Sequence, residues 1–70
     1  MKKLNYKVIK KKDLQFVGYD YWCRPVYKYK NYYYKDITLK GDKNNIPSVL
    51  NCSYNDIEGE PDYEVNIVDE

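Results

Sequence analysis

The stretch Val26-Tyr27-Lys28-Tyr29-Lys30-Asn31-Tyr32-Tyr33-Tyr34-Lys35-Asp36-Ile37-Thr38-Leu39 decides the fold. From Val26 to Lys30 ring and cation alternate, so Tyr27 and Tyr29 face one way and Val26, Lys28 and Lys30 the other. That is the period of an extended strand. Asn31 suits a turn. From Tyr32 to Leu39 the alternation resumes, with Tyr33, Lys35, Ile37 and Leu39 opposite Tyr32, Tyr34, Asp36 and Thr38. Two such runs around a short polar break read as a β-hairpin. Pro25 donates no backbone hydrogen bond, so it marks a strand start.

Working toward the N-terminus, Leu14–Trp22 reads as a strand. Leu14 and Phe16 lie on one face, and Gln15, Val17, Tyr19 and Tyr21 on the other. Gly18 inside it predicts a bulge or a close backbone approach. Lys10-Lys11-Lys12-Asp13 is a solvated turn, and Leu4–Ile9 a first strand. Toward the C-terminus, Gly41–Asn45 is a loop. Residues 46–53 admit two readings: a strand over Val49–Ser53, which we take, or a short helix capped by Asn45. Asn55–Asp62 is rich in turn formers. Tyr63–Val68 alternates again as a last strand, with Tyr63, Val65 and Ile67 on one face. The expected fold is therefore a single, mainly β domain over residues 1–70. It is a small antiparallel meander or partly open barrel of five or six strands, with a flat sheet paired to its copy as the alternative.

A chain of 70 residues builds a small core, and such chains commonly lean on a disulfide, a metal or a partner. No apolar run of signal-peptide or membrane-span length occurs. This predicts a cytoplasmic protein with reduced thiols and no membrane association. There is no histidine, and Cys23 and Cys52 stand alone, so no zinc pattern exists. A partner chain is left, and we expect a homodimer.

Charge is divided along the chain. Residues 1–43 carry all twelve Lys and Arg against four acids, a net +8, whereas residues 44–70 carry seven acids and no base. One reading packs the acidic segment beside the basic one. The other makes it an arm that mimics or competes with nucleic acid.

Catalytic chemistry finds little to use. Without histidine there is no Ser-His or Cys-His pair. Cys23 lies between Trp22 and Arg24, where a thiol can be activated, but we read it as a small buried apolar residue. The acids of 55–62 do not match a calcium loop. We expect a non-enzyme without cofactor or metal.

The stronger candidate is Tyr19–Lys35, where aromatics alternate with cations. Stacking rings plus phosphate-neutralising cations suit a nucleotide or a single strand. In this reading Arg24 clamps phosphate, Tyr19, Trp22 and Tyr27 stack on bases, and Lys28 and Lys35 supply charge. Equally, half of these rings could simply be core. The alternative is a protein-binding inhibitor that uses the tyrosine face or the acidic residues Glu58, Glu60 and Asp62, since Tyr, Trp and Arg dominate interface hot spots.

Tyr19-Asp20-Tyr21-Trp22-Cys23-Arg24-Pro25-Val26-Tyr27-Lys28, then Lys35-Asp36, then Gly59-Glu60-Pro61-Asp62 resembles a group of small proteins of bacterial mobile elements and phages. The resemblance spans Tyr19 to Asp62. It implies a context, inhibition of a host defence, either by blocking a protein or by sequestering a nucleotide signal. It carries over no catalytic residue.

Overall fold

The structure is a computed structural model and describes residues 8–69. Six strands form one sheet: β1 (Val8–Lys10), β2 (Gln15–Tyr19), β3 (Pro25–Tyr29), β4 (Tyr32–Lys35), β5 (Val49–Tyr54) and β6 (Glu64–Val68). Their order across the sheet is β1-β6-β5-β4-β3-β2. Strands β2 to β6 are thus an antiparallel meander, as the alternation predicts. Leu4 to Lys7 of the expected first strand lie outside the described residues.

Strand β1 departs from the purely antiparallel expectation. It pairs in parallel with β6, Ile9 opposite Ile67. This places the two sequence neighbours β1 and β2 at opposite edges, joined only by Lys11–Leu14. Laid flat, six strands would hold those edges about 24 Å apart, at roughly 4.8 Å per step. The five Cα steps from Lys10 to Gln15 reach at most about 18 Å when fully extended. Part of that link is the 3₁₀ turn Lys11–Asp13, which is shorter still. The sheet must therefore curl, and the result is a half-barrel.

Two bulges help it curl. One falls between Phe16 and Gly18, where Val17 is the extra residue and Gly18 adopts φ +136°. The other falls between Tyr33 and Tyr34 against β5, with Ser53 extra. The first has a consequence for the faces. Phe16 and Tyr19 were expected on opposite sides. The bulge brings them to the same side, with ring centroids 5.4 Å apart at an edge-on angle.

The concave side holds the core: Ile9, Tyr27, Tyr34, Leu50, Cys52, Val65 and Ile67 are buried together, with Phe16, Tyr29, Tyr32, Tyr54 and Tyr63 packed around them. Tyr27 buries its ring completely and donates its hydroxyl proton to the carbonyls of Asp42 (2.8 Å) and Asn45 (3.1 Å). Gly41 permits that arrangement. A Cβ there would stand 2.7 Å from the Tyr27 hydroxyl and 2.7 Å from Pro47 Cδ.

The strand taken over Val49–Ser53 is present as Val49–Tyr54, and no helix forms over residues 46–53, because Leu50 and Cys52 at period two reach the core while their neighbours turn away. Two expectations are corrected. The fourth strand stops at Lys35 instead of Leu39. Buried Asp36 ends it, because its carboxylate accepts from the backbone N–H groups of Thr38, Lys40 and Gly41 and from the Thr38 hydroxyl. Those bonds wind the chain into a turn and leave Ile37 and Leu39 outside. The second strand likewise stops at Tyr19, before Trp22.

The charge halves do meet. The C-terminal strand β6 lies beside β1, and Lys11 pairs with Asp69 at 3.0 Å on the surface. No helix among the described residues is long and apolar enough to cross a membrane.

Candidate functional site

The convex face of the sheet carries Val26, Lys35, Asn51 and Ser53, all buried although this side is opposite the core. Two loops cover them. One is Asp20–Arg24, the connection from β2 to β3. The other is Asn55–Asp62, which leaves β5 and folds back over the sheet before β6 begins.

The first loop is wound around one carboxylate. Asp20 Oδ1 accepts from the backbone N–H groups of Trp22 (2.9 Å) and Arg24 (2.8 Å). Asp20 Oδ2 accepts from Arg24 Nε (2.8 Å) and Lys35 Nζ (2.9 Å). An aspartate that bonds backbone two residues on is a turn former by its short side chain. Burial alone would push its proton affinity up. The Lys35 ammonium, the Arg24 groups and the Trp22 amide outweigh that and hold the carboxyl well below the usual range. Closing the turn puts Cys23 at φ +63°. It also forces Tyr21 and Trp22 outward, 89% and 73% exposed. Cys23 is exposed too, which corrects its reading as a buried apolar residue; the buried thiol is Cys52.

The second loop is tied down along its length. Ser53 Oγ donates to Asp56 O, Gly59 N to Asp56 O, and Glu58 N to Asp56 Oδ1. Asn51 Nδ2 donates to Asp62 O, and the Tyr54 hydroxyl to Asp62 Oδ2. Lys35 joins the two loops, since its ammonium also donates to Gly59 O at 2.6 Å. Tyr21 N donates to Glu58 Oε1 at 2.8 Å and adds a second tie.

Between the loops is a cleft of about 310 Å³, lined by Trp22, Arg24, Glu58, Gly59, Glu60 and Pro61. The two sets of residues that the sequence offered as rival sites meet here: Trp22 and Arg24 from one, Glu58 and Glu60 from the other. The segments Asp20–Arg24, Lys35 and Gly59–Pro61, which stand far apart in the chain, form one unit.

The remaining candidates lie elsewhere. Tyr27 and Lys35 are fully buried and offer no surface to a ligand; this corrects their assignment to a stacking or phosphate site. Tyr27 is the right type and period for a surface ring, but its face points into the concave core. Lys35 is consumed by Asp20 and Gly59. Tyr19 is half exposed but leans on Phe16, on the core side of the sheet. Lys28 sits three residues along β3 from Pro25, roughly 10 Å away at strand rise, with its ammonium over the Tyr33 ring. Asp62 faces Tyr54 instead of the cleft.

What the sequence reading missed is Asp20 as the organising group. Its signal was available in the spacing: an aspartate two residues before Trp22 and four before an Arg-Pro pair. The contribution of the Gly59 carbonyl carried no signal, because a backbone oxygen has no residue type. Compared with protein-family models, curated proteins and solved structures, the chain matches none.

Proposed function

We propose that this chain is a non-catalytic binding protein whose working surface is the Trp22–Pro61 cleft, and that its ligand is another protein. The observation that carries this reading is the charge of the lining. Glu58 and Glu60 stand at the cleft opposite a single arginine whose Nε is already held by Asp20. A nucleotide phosphate entering there would face two carboxylates. Of the residues expected to bind a nucleotide, only Trp22 and Arg24 line the cleft. A protein segment meets this mixed lining more readily. It brings an apolar side chain for Trp22, carbonyl oxygens for the Arg24 guanidinium and donors for the two glutamates. Exposed Tyr and Trp on a turn held by six hydrogen bonds match the rigid aromatic anchors of interfaces. Inhibition of a host protein, which the resemblance implies, is one use of such a surface.

The test is capture from a host lysate with wild-type chain, Trp22→Ala and Glu58→Gln/Glu60→Gln as parallel baits, combined with calorimetry against a nucleotide panel. A protein retained by wild type and lost with both variants supports the reading. Saturable heat from a nucleotide that Trp22→Ala abolishes overturns it in favour of nucleotide binding.

A further inference from the structure

The walls of the cleft differ in kind, and the difference specifies what fits between them. One wall is the Trp22 indole, mostly exposed. The other carries Glu58 and Glu60. Glu58 spends one carboxylate oxygen on Tyr21 N, which fixes the side chain and leaves the second oxygen open. The ion pairs among the described residues are Lys11–Asp69, Arg24–Asp20 and Lys35–Asp20, so no described cation pairs with Glu58 or Glu60. Arg24 cannot swing across to do so, because Asp20 takes its Nε at 2.8 Å. Gly59 and Pro61, which complete the lining, add no charge.

An aromatic face beside two unneutralised carboxylates attracts a cation. A guanidinium suits it better than an ammonium. It is planar, stacks on indole, and presents a fork of N–H donors that matches a carboxylate edge. Building on the protein-binding reading, we infer that the cleft receives an arginine side chain of the partner. That arginine stacks on Trp22 and donates to Glu60 and to the open oxygen of Glu58. The volume of about 310 Å³ holds one such side chain with a stretch of its backbone. The partner is thus a protein with an arginine on an accessible, extended segment.

The chain contains a single tryptophan, so its fluorescence reports on this wall alone. The probes are acetyl-Gly-Gly-Arg-Gly-Gly-amide, its Lys, Gln and Glu counterparts, and adenosine monophosphate, each titrated to about 10 mM, since isolated side chains bind weakly. The expected result is a saturable change with the arginine peptide and an affinity about tenfold lower for glutamine. Glu58→Gln/Glu60→Gln should weaken the arginine peptide by about tenfold, with an unchanged melting temperature showing that the variant is folded. Raising NaCl from about 50 to 500 mM should weaken it as well. Equal binding of the arginine and glutamine peptides overturns the arginine assignment and leaves the protein-binding reading standing. Saturation by adenosine monophosphate with no response to any peptide overturns both. No response to any probe overturns the arginine assignment.

Discussion

Lys35 Nζ lies 2.9 Å from Asp20 Oδ2, and neither side chain reaches solvent. The pair joins a central strand to the turn that carries Trp22, and through Gly59 O it reaches the opposite loop. The cleft therefore depends on two residues that line none of it. A buried charge whose partner is removed costs about 3–5 kcal/mol, while replacing a whole pair with apolar groups can be near neutral. Asp20→Asn should destabilise the domain by an amount in that range, because it leaves the Lys35 ammonium buried with one carbonyl. Lys35→Met should cost less, since Asp20 keeps Arg24 and two backbone donors. Urea unfolding of the two variants checks the order; equal losses would contradict it.

Acid should unfold the protein through Asp20 and Asp36. Burial raises the proton affinity of Asp36, but hydrogen bonds from Thr38, Gly41 and Lys40 outweigh it, so both carboxyls sit below their ordinary value. A depressed folded pKa means the unfolded chain takes up the proton first. The stabilisation is complete above the unfolded value of about 4 and is lost as pH falls below it. Urea midpoints should stay flat from pH 7 to about pH 5 and drop steeply below about 4. Asp36→Asn should flatten that drop.

These two aspartates also show where sequence reading stops. The strands were legible because period-two alternation follows from strand geometry, and Val26–Tyr29, Tyr32–Lys35 and Glu64–Val68 follow it. The bulge at Gly18 was legible from a glycine inside a strand. Its effect on Tyr19 was not, because a one-residue slip reverses every face beyond it. Lys35 and Asp36 look like surface charges in an alternating run. Only tertiary contacts, with Asp20 and with the 37–41 turn, decide that they are buried. The cleft was half legible: its two charged sets were each visible, but their meeting depends on a loop folding back across the sheet.

Base should act through Tyr27. Burial, then the nearby charges of Asp36 and Asp42, push its phenol up to about 12. Here the folded pKa is raised, so its stabilisation is present below the unfolded value of about 10 and is lost between about 10 and 12. Tyr27→Phe should cost about 1 kcal/mol near neutrality, because the Asp42 and Asn45 carbonyls lose their donor. It should also make the alkaline decline in urea midpoint shallower. An unchanged decline would assign it to Tyr54, which its hydrogen bond to Asp62 also pushes up to about 12.

Leu39 adopts φ +62° at the end of the turn that Asp36 organises, and its side chain is 57% exposed. A left-handed backbone costs a side-chain-bearing residue about 1–2 kcal/mol, which glycine avoids at the expense of a more flexible unfolded chain. Leu39→Gly should therefore raise stability by a few tenths to about 1 kcal/mol. Leu39→Val should lower it, because branching at Cβ crowds that conformation further. Thermal melts of the two variants should move in opposite directions.

The two thiols should differ sharply in access. Cys23 is exposed on the Asp20–Arg24 turn, and Cys52 is buried in the core between β4 and β6. A disulfide-exchange reagent reaches a thiol only where solvent does. The folded protein should thus release one equivalent of chromophore quickly and the second only on unfolding. A bulky adduct on Cys23 would sit next to Trp22 and Arg24, so labelling should also shift the tryptophan emission and weaken whatever the cleft binds. Fast release of two equivalents from folded protein would mean that the β5 strand opens readily. The core packing around Leu50, Cys52 and Val65 argues against that, since all three are fully buried.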